Sequence, residues 1–164
     1  MQLLKKIRDL EEEIKDNPSS KAFIALSESY IQIDEIEKAK RICKEGLKKY
    51  PKCQGAKVVM AEILYYENKI DQAILLLSEV IKENPLNLKA YKILGSIYED
   101  LGDLKKAKEF FEKAWISDPE DKEVRLKLKN LEKRLLLKDK IKLILYKEKL
   151  EKYLEIFINK MEGG

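Results

Sequence analysis

Four prolines, Pro18, Pro51, Pro85 and Pro119, stand 33, 34 and 34 residues apart. A fixed period of this size constrains a chain more than its composition does. Each segment must be one small supersecondary unit that buries its apolar face only by stacking on its neighbours. Aligned on the prolines, segments 20–53, 54–87 and 88–121 show matching columns when each is numbered 1 to 34. Column 7 holds Leu26, Met60 and Leu94, column 8 the small Ser27, Ala61 and Gly95, and column 11 Tyr30, Leu64 and Tyr98. Column 20 is Ala39, Ala73 and Ala107, column 24 Cys43, Leu77 and Phe111, and column 27 Gly46, Val80 and Ala114.

Columns 4, 7, 8 and 11 recur at three- and four-residue steps and so share one face of a first helix. Columns 17, 20, 21, 24, 27 and 28 do the same on a second helix. Small residues at 8 and 20 let two antiparallel backbones approach closely, and large ones at 7, 11 and 24 fill the space around them. Between the helices, column 15 holds Asp34, Asn68 and Gly102, the residue types that best tolerate the left-handed conformation ending a helix. The prolines then re-aim the chain into the next unit. Gly46 departs from this logic: within a helix it costs about 1 kcal/mol relative to Ala.

The third segment, LKAYKILGSIYEDLGDLKKAKEFFEKAWISDPED, resembles the tetratricopeptide repeat at each of the family's aromatic, Leu, Gly, Tyr, Ala, Phe, Ala and Pro columns. The second segment departs from it at Lys57 and Leu64, the first at Ser27, Cys43 and Gly46. The resemblance covers 20–121 and implies an all-α, right-handed α-solenoid of three helix-turn-helix units. Residues 1–17 carry Leu3, Ile7, Leu10 and Ile14 at second-helix columns and are expected to form an N-terminal capping helix. Residues 18–121 are expected to hold the three repeats, and 122–164 a C-terminal cap and extension. After Pro119 the pattern restarts with Val124, Leu128 and Leu131, but LEKRLLLKDKI offers no Gly or Asn for a turn. The spacing predicts a capping helix near 121–137 and a last helix near 139–161, joined by a slight kink or running as one.

In this family, columns 2, 5, 9 and 12 line the concave face. The resemblance thus implies a binding groove of Lys21, Ile24, Glu28 and Ile31, then Val58, Glu62 and Tyr65 beside Gly55, then Lys89, Lys92, Ser96 and Glu99. Such a surface suits an amphipathic helix or extended segment with apolar anchors beside basic groups. Members that bind chaperone tails grip a terminal carboxylate with Lys, Asn and Arg. Ile24, Glu28, Val59 and Ile93 occupy those columns here, and Lys89 alone survives, which disfavours that ligand. The expected function is a non-enzymatic interaction scaffold with a protein or peptide partner.

Two other readings stay open. Leu143, Tyr146, Leu150, Tyr153 and Phe157 step by threes and fours, a seam with coiled-coil spacing that serves either to cap the array or to self-associate into a homo-oligomer. The stretch from Arg125 to Lys149 holds ten Lys/Arg against three Asp/Glu, a charge excess suited to nucleic acid or a membrane surface. These charges fall around the helix, however, and no aromatic lies between Trp115 and Tyr146, which disfavours nucleic acid; a membrane surface ranks below capping and self-association.

Composition narrows the chemistry. At 45% hydrophobic and 39% charged residues, the chain has ample core-forming content and a heavily charged surface. No His is present, which removes the commonest acid–base group and the commonest metal ligand. There is no Gly-rich phosphate loop, and Cys43 and Cys53 form no metal-spaced cluster. Neither catalysis, a cofactor nor a metal is expected. The charged, interrupted N-terminus lacks a signal-peptide core, so a cytoplasmic location is expected. Abundant Lys and Glu without Thr match either a thermophilic source or an AT-rich genome.

Overall fold

The computed structural model describes residues 2–18 and 20–162, without the side chains of Phe157 and residues 159–162. Eight helices follow one another: α1 (Gln2–Asp16), α2 (Ala22–Gln32), α3 (Ile36–Lys49), α4 (Gln54–Tyr66), α5 (Ile70–Glu83), α6 (Leu88–Asp100), α7 (Leu104–Ser117) and α8 (Lys122–Glu162). Each packs chiefly on its chain neighbours, and α2, α4 and α6 also meet one another in series. The result is an all-α solenoid.

Turn chemistry sets the helix pairs. Asp34, Asn68 and Gly102 adopt φ of 61°, 59° and 75°, the left-handed conformation that stops a helix. At the first two, a paired motif ties off the helix end. Asp34 N–H donates to Ile31 and Glu35 N–H to Tyr30, as Asn68 donates to Tyr65 and Lys69 to Leu64. The prolines act at the other end of each pair. Tyr50, Asn84 and Asp118, each preceding a proline, leave the helix at φ of −130°, −136° and −150°, outside the helical conformation that a following proline disfavours. The next helix is then capped by Asn87, whose side chain accepts from Ala90 N–H, or by Asp121, which accepts from Val124 N–H at 3.0 Å.

The small columns are the contact points. Ala39, Ala73, Ala107, Ser27 and Ala61 are fully buried. A Cβ built on Gly95 would come within 2.7 Å of the Phe111 ring. Gly46 has a comparable reason to be Gly, since a Cβ there would lie 2.2 Å from the ring of Phe23. That ring also stacks on Tyr50, centroids 6.0 Å apart. The helix-propensity cost read from the sequence therefore has a packing cause.

The two ends differ. Ile7 of α1 is buried, with Leu3, Leu10 and Ile14 packed beside it, and Glu11 accepts from the Tyr30 hydroxyl at 2.5 Å. Hydrogen bonding to Glu11, and then burial, push that hydroxyl's pKa up to about 12. At the other end α8 takes the uninterrupted course of the two open to it, a single helix of 41 residues, about 60 Å long. Val124 and Leu131 are buried, with Leu128 beside them, in the cluster that also holds Ala107, Phe111 and Ala114 of α7. Beyond Leu135 every described side chain of α8 is exposed.

Candidate interaction surface

The concave face is formed by α2, α4 and α6 and closed at one end by α8. Two of its carboxylates, Glu28 and Glu62, sit at one repeated column, Glu99 sits one turn on in the third repeat, and long cations from later helices reach back to them. Lys89 of α6 donates to Glu28 of α2 at 2.6 Å and pairs with Glu62 of α4 at 2.8 Å. Burial opposes the charge on Lys89, but the bonds to the two carboxylates outweigh it and hold the ammonium pKa above its ordinary value. Lys92 pairs with Asp121 at 3.0 Å and with Glu123. Burial lowers its pKa, its two carboxylate partners raise it, and the net shift is again upward. Asp121 is shifted down, first by its bond from Val124 N–H and then, against burial, by Lys92. Glu99 accepts from Lys127 at 2.8 Å and Arg134 at 2.5 Å, so the start of α8 is ionically fastened to α6.

Between these pairs lie two adjoining hollows. One, of about 490 Å³, is lined by Glu62, Lys89, Lys92 and Ser96; the other, of about 610 Å³, by Asn68, Asp100, Leu101 and Lys127. Tyr65 and Tyr66 line both, their ring centroids 5.8 Å apart. Tyr65 donates to Asp100. Burial, and then that bond, raise its hydroxyl pKa above the usual tyrosine value.

The structure thus brings together Glu28, Glu62, Tyr65, Lys89, Lys92, Ser96 and Glu99. Two residues of the expected groove are withdrawn from it. Val58 is 2% exposed and Ile31 9%, because first helices press against each other and absorb these side chains into the core. Ile24 lies across Gly55, with its Cδ1 3.2 Å from where a Cβ would stand. Lys21 sits at the open end, over the Tyr50 ring. Sequence reasoning missed Tyr66, 57% exposed, and the reach of Lys127 and Arg134. Tyr66 is at a helix end with no repeating column to mark it.

Of the expected seam on α8, Leu143, Tyr146, Leu150 and Tyr153 are exposed along one line, while the Phe157 side chain lies outside the described residues. Among the described residues no cluster of His, Cys, Asp and Glu is placed to hold a metal. None of the described helices is long and apolar enough to cross a membrane. Cys43 is buried beneath the Ala56 carbonyl, and burial pushes its thiol pKa up to about 12, an inert packing role.

Comparison with known proteins agrees with this architecture. Residues 64–131 match the tetratricopeptide repeat family. Tetratricopeptide repeat protein 21B of Xenopus laevis is 27% identical over 95 residues, 58% of this chain, and the chain spans about 7% of that protein's length. Among solved structures, a thermophilic TPR protein of Thermus thermophilus superposes with a TM-score of 0.69 at 21% identity, covering 79% of this chain and 72% of its own. MamA of Desulfovibrio magneticus gives 0.61 at 21%, covering 80% and 75%. The first TPR of Spaghetti (RPAP3), bound to the HSP90 peptide SRMEEVD, gives 0.60 at 18%, covering 70% and 90%. At these identities the structural likenesses establish the fold.

Proposed function

We propose that this chain, which belongs to the tetratricopeptide-repeat family, is a non-enzymatic adaptor holding a helix or extended segment of a partner protein on its concave face. The observation that carries this reading is the pair of hollows joined by Tyr65 and Tyr66. Adjacent aromatic rings, partly open and framed by fixed charges, are the kind of anchor that carries most of the energy at protein interfaces. The ion pairs around them are already satisfied, so the frame is set before a ligand arrives and less ordering is needed on binding.

The same geometry supports a preference in ligand charge. Lys89 is the one residue left of a terminal-carboxylate grip, and it is bonded to both Glu28 and Glu62. That trio carries a net charge of minus one, as does Lys92 with Asp121 and Glu123. An acidic tail such as the one bound by RPAP3 would have to displace existing bonds and face surplus carboxylates. A segment with apolar anchors and a Lys or Arg fits better.

The test is capture from a lysate by the immobilised chain, with the captured protein identified and its binding segment mapped as a synthetic peptide. Substitution of Tyr65 and Tyr66 should abolish peptide binding. If the peptide binds the double variant as well as the parent, the hollows are not the site.

A further inference from the structure

The exposed apolar line on α8 and an empty slot at the base of the same helix face the same way. In every complete repeat a second helix lies beside the first, but α8 is a first helix without one. The place it leaves is a slot of about 790 Å³ between α7 and α8, walled by Trp115, Ile116, Leu128 and Pro119 and rimmed by Glu112, Arg125, Lys129 and Glu132. Trp115 is 46% exposed there. The slot-facing Arg125, Leu128 and Glu132 continue through Leu135 and Asp139 into Leu143, Tyr146, Leu150 and Tyr153 by steps of three and four, so slot and line form one trough along a single helix face.

The trough is symmetric about Asp139. Leu135 and Leu143 stand four residues before and after it, Glu132 and Tyr146 seven, Leu128 and Leu150 eleven, and Arg125 and Tyr153 fourteen. Two copies of α8 laid antiparallel, with a two-fold axis at Asp139, therefore put each apolar line into the other copy's slot, residue opposite residue. We propose that this chain forms such a dimer, in which the outer half of α8 from one copy completes the last repeat of the other.

Two other pairings fail on the same observations. α8 cannot fill its own slot, because it runs unbroken and has no Gly or Pro between Glu132 and Tyr146 at which to turn. Pairing the outer halves with each other would leave the slot open and Trp115 half exposed. In the exchanged arrangement Lys149 comes to the α7 wall, where Glu112 stands, and Glu151 comes to Arg125 and Lys129. The interface is isologous and closes on itself. It is separate from the concave face, so it does not depend on the adaptor reading.

The experiment uses the full chain with Cys53→Ser, Cys43 being buried. Glu132→Cys and Tyr146→Cys are introduced singly, and the two proteins are oxidised alone and mixed. The mixture should give a disulfide-linked dimer that neither gives alone, and sedimentation of the parent should show a dimer that Leu150→Glu converts to a monomer of unchanged helical content. Self-linking of Tyr146→Cys would mean that the outer halves pair with each other and would overturn the proposal. So would a parent that stays monomeric at all concentrations, whether or not it floats with phosphatidylserine vesicles.

Discussion

The ring of Phe23 in α2 lies directly over the bare Cα of Gly46 in α3, so a large aromatic faces the smallest residue of the opposing column. In the third repeat the same two columns hold Tyr91 and Ala114, both buried, and in the second Lys57 and Val80. The Phe23–Gly46 fit belongs to the first repeat and cannot be seen one column at a time.

Gly46→Ala should therefore destabilise the protein although Ala is the better helix former. The gain in propensity is about 1 kcal/mol, while overpacking costs typically about 1–3 kcal/mol, and here the new methyl would meet a ring rather than a flexible chain end. Denaturant melts of Gly46→Ala and of Phe23→Leu/Gly46→Ala check this. The double variant should recover part of the loss.

Ser27→Ala should raise stability. Ser27 is fully buried and its hydroxyl finds no hydrogen-bond partner among the described residues, whereas Ala61 stands at the equivalent place in the next repeat. Removing a buried unpartnered hydroxyl is worth about 1 kcal/mol or more. A melt showing a loss of that size would mean that the hydroxyl is bonded after all.

Asp121 has two duties that substitution separates. Its side chain caps α8 by accepting from Glu123 and Val124 N–H, and it pairs with Lys92. Asp121→Asn should keep much of the cap and lose the ion pair; Asp121→Ala should lose both, the cap alone costing about 1 kcal/mol. Because the folded-state pKa of Asp121 is depressed, its charge stabilises the fold fully above the ordinary Asp pKa of about 3.9. That contribution fades as pH falls through the lower folded value. The stability gap between parent and Asp121→Asn should accordingly narrow in acid and hold steady from about pH 5 to 8, as urea titrations across that range would show.

Tyr65→Ala should weaken the mapped partner peptide by about 2 kcal/mol or more if the rings are the anchor, with circular dichroism unchanged. Lys92→Glu should act differently, adding to the surplus of carboxylates and so raising the association rate of a Lys- or Arg-bearing segment in a salt-dependent way. Lys105→Glu, on exposed α7, should leave both affinity and rate as they are. Titration calorimetry and stopped-flow measurements on the three variants distinguish an aromatic anchor from general electrostatic attraction.

How far the sequence reaches can be seen at particular residues. Asp34, Asn68 and Gly102 are legible as left-handed stops because few residue types tolerate that conformation and the three recur in register. The alanine column is legible for the same reason of recurrence. The accessibility of Val58 is not, because columns 5 and 12 point toward the concave side in every unit. Only the approach of neighbouring first helices decides which of them stay open. Nor do long cations leave a periodic trace: Lys127 and Arg134 read as solvated residues of a basic stretch until the fold sets Glu99 beside them. The course of α8 is half legible, since the missing turn residue forbids a tight reversal without choosing between a bend and a straight rod.

Lys89 has one more consequence. A stacked array behaves nearly as a one-dimensional chain, in which each unit senses only the next. Lys89 is bonded to Glu62 in the adjacent repeat and also to Glu28, two repeats away. This second-neighbour tie turns a row of hinges into a braced frame. Bending the arc open or letting the first repeat fray must stretch the same ammonium's bonds, so the two motions are linked, and the curvature presented to a ligand is held by a charge at its centre.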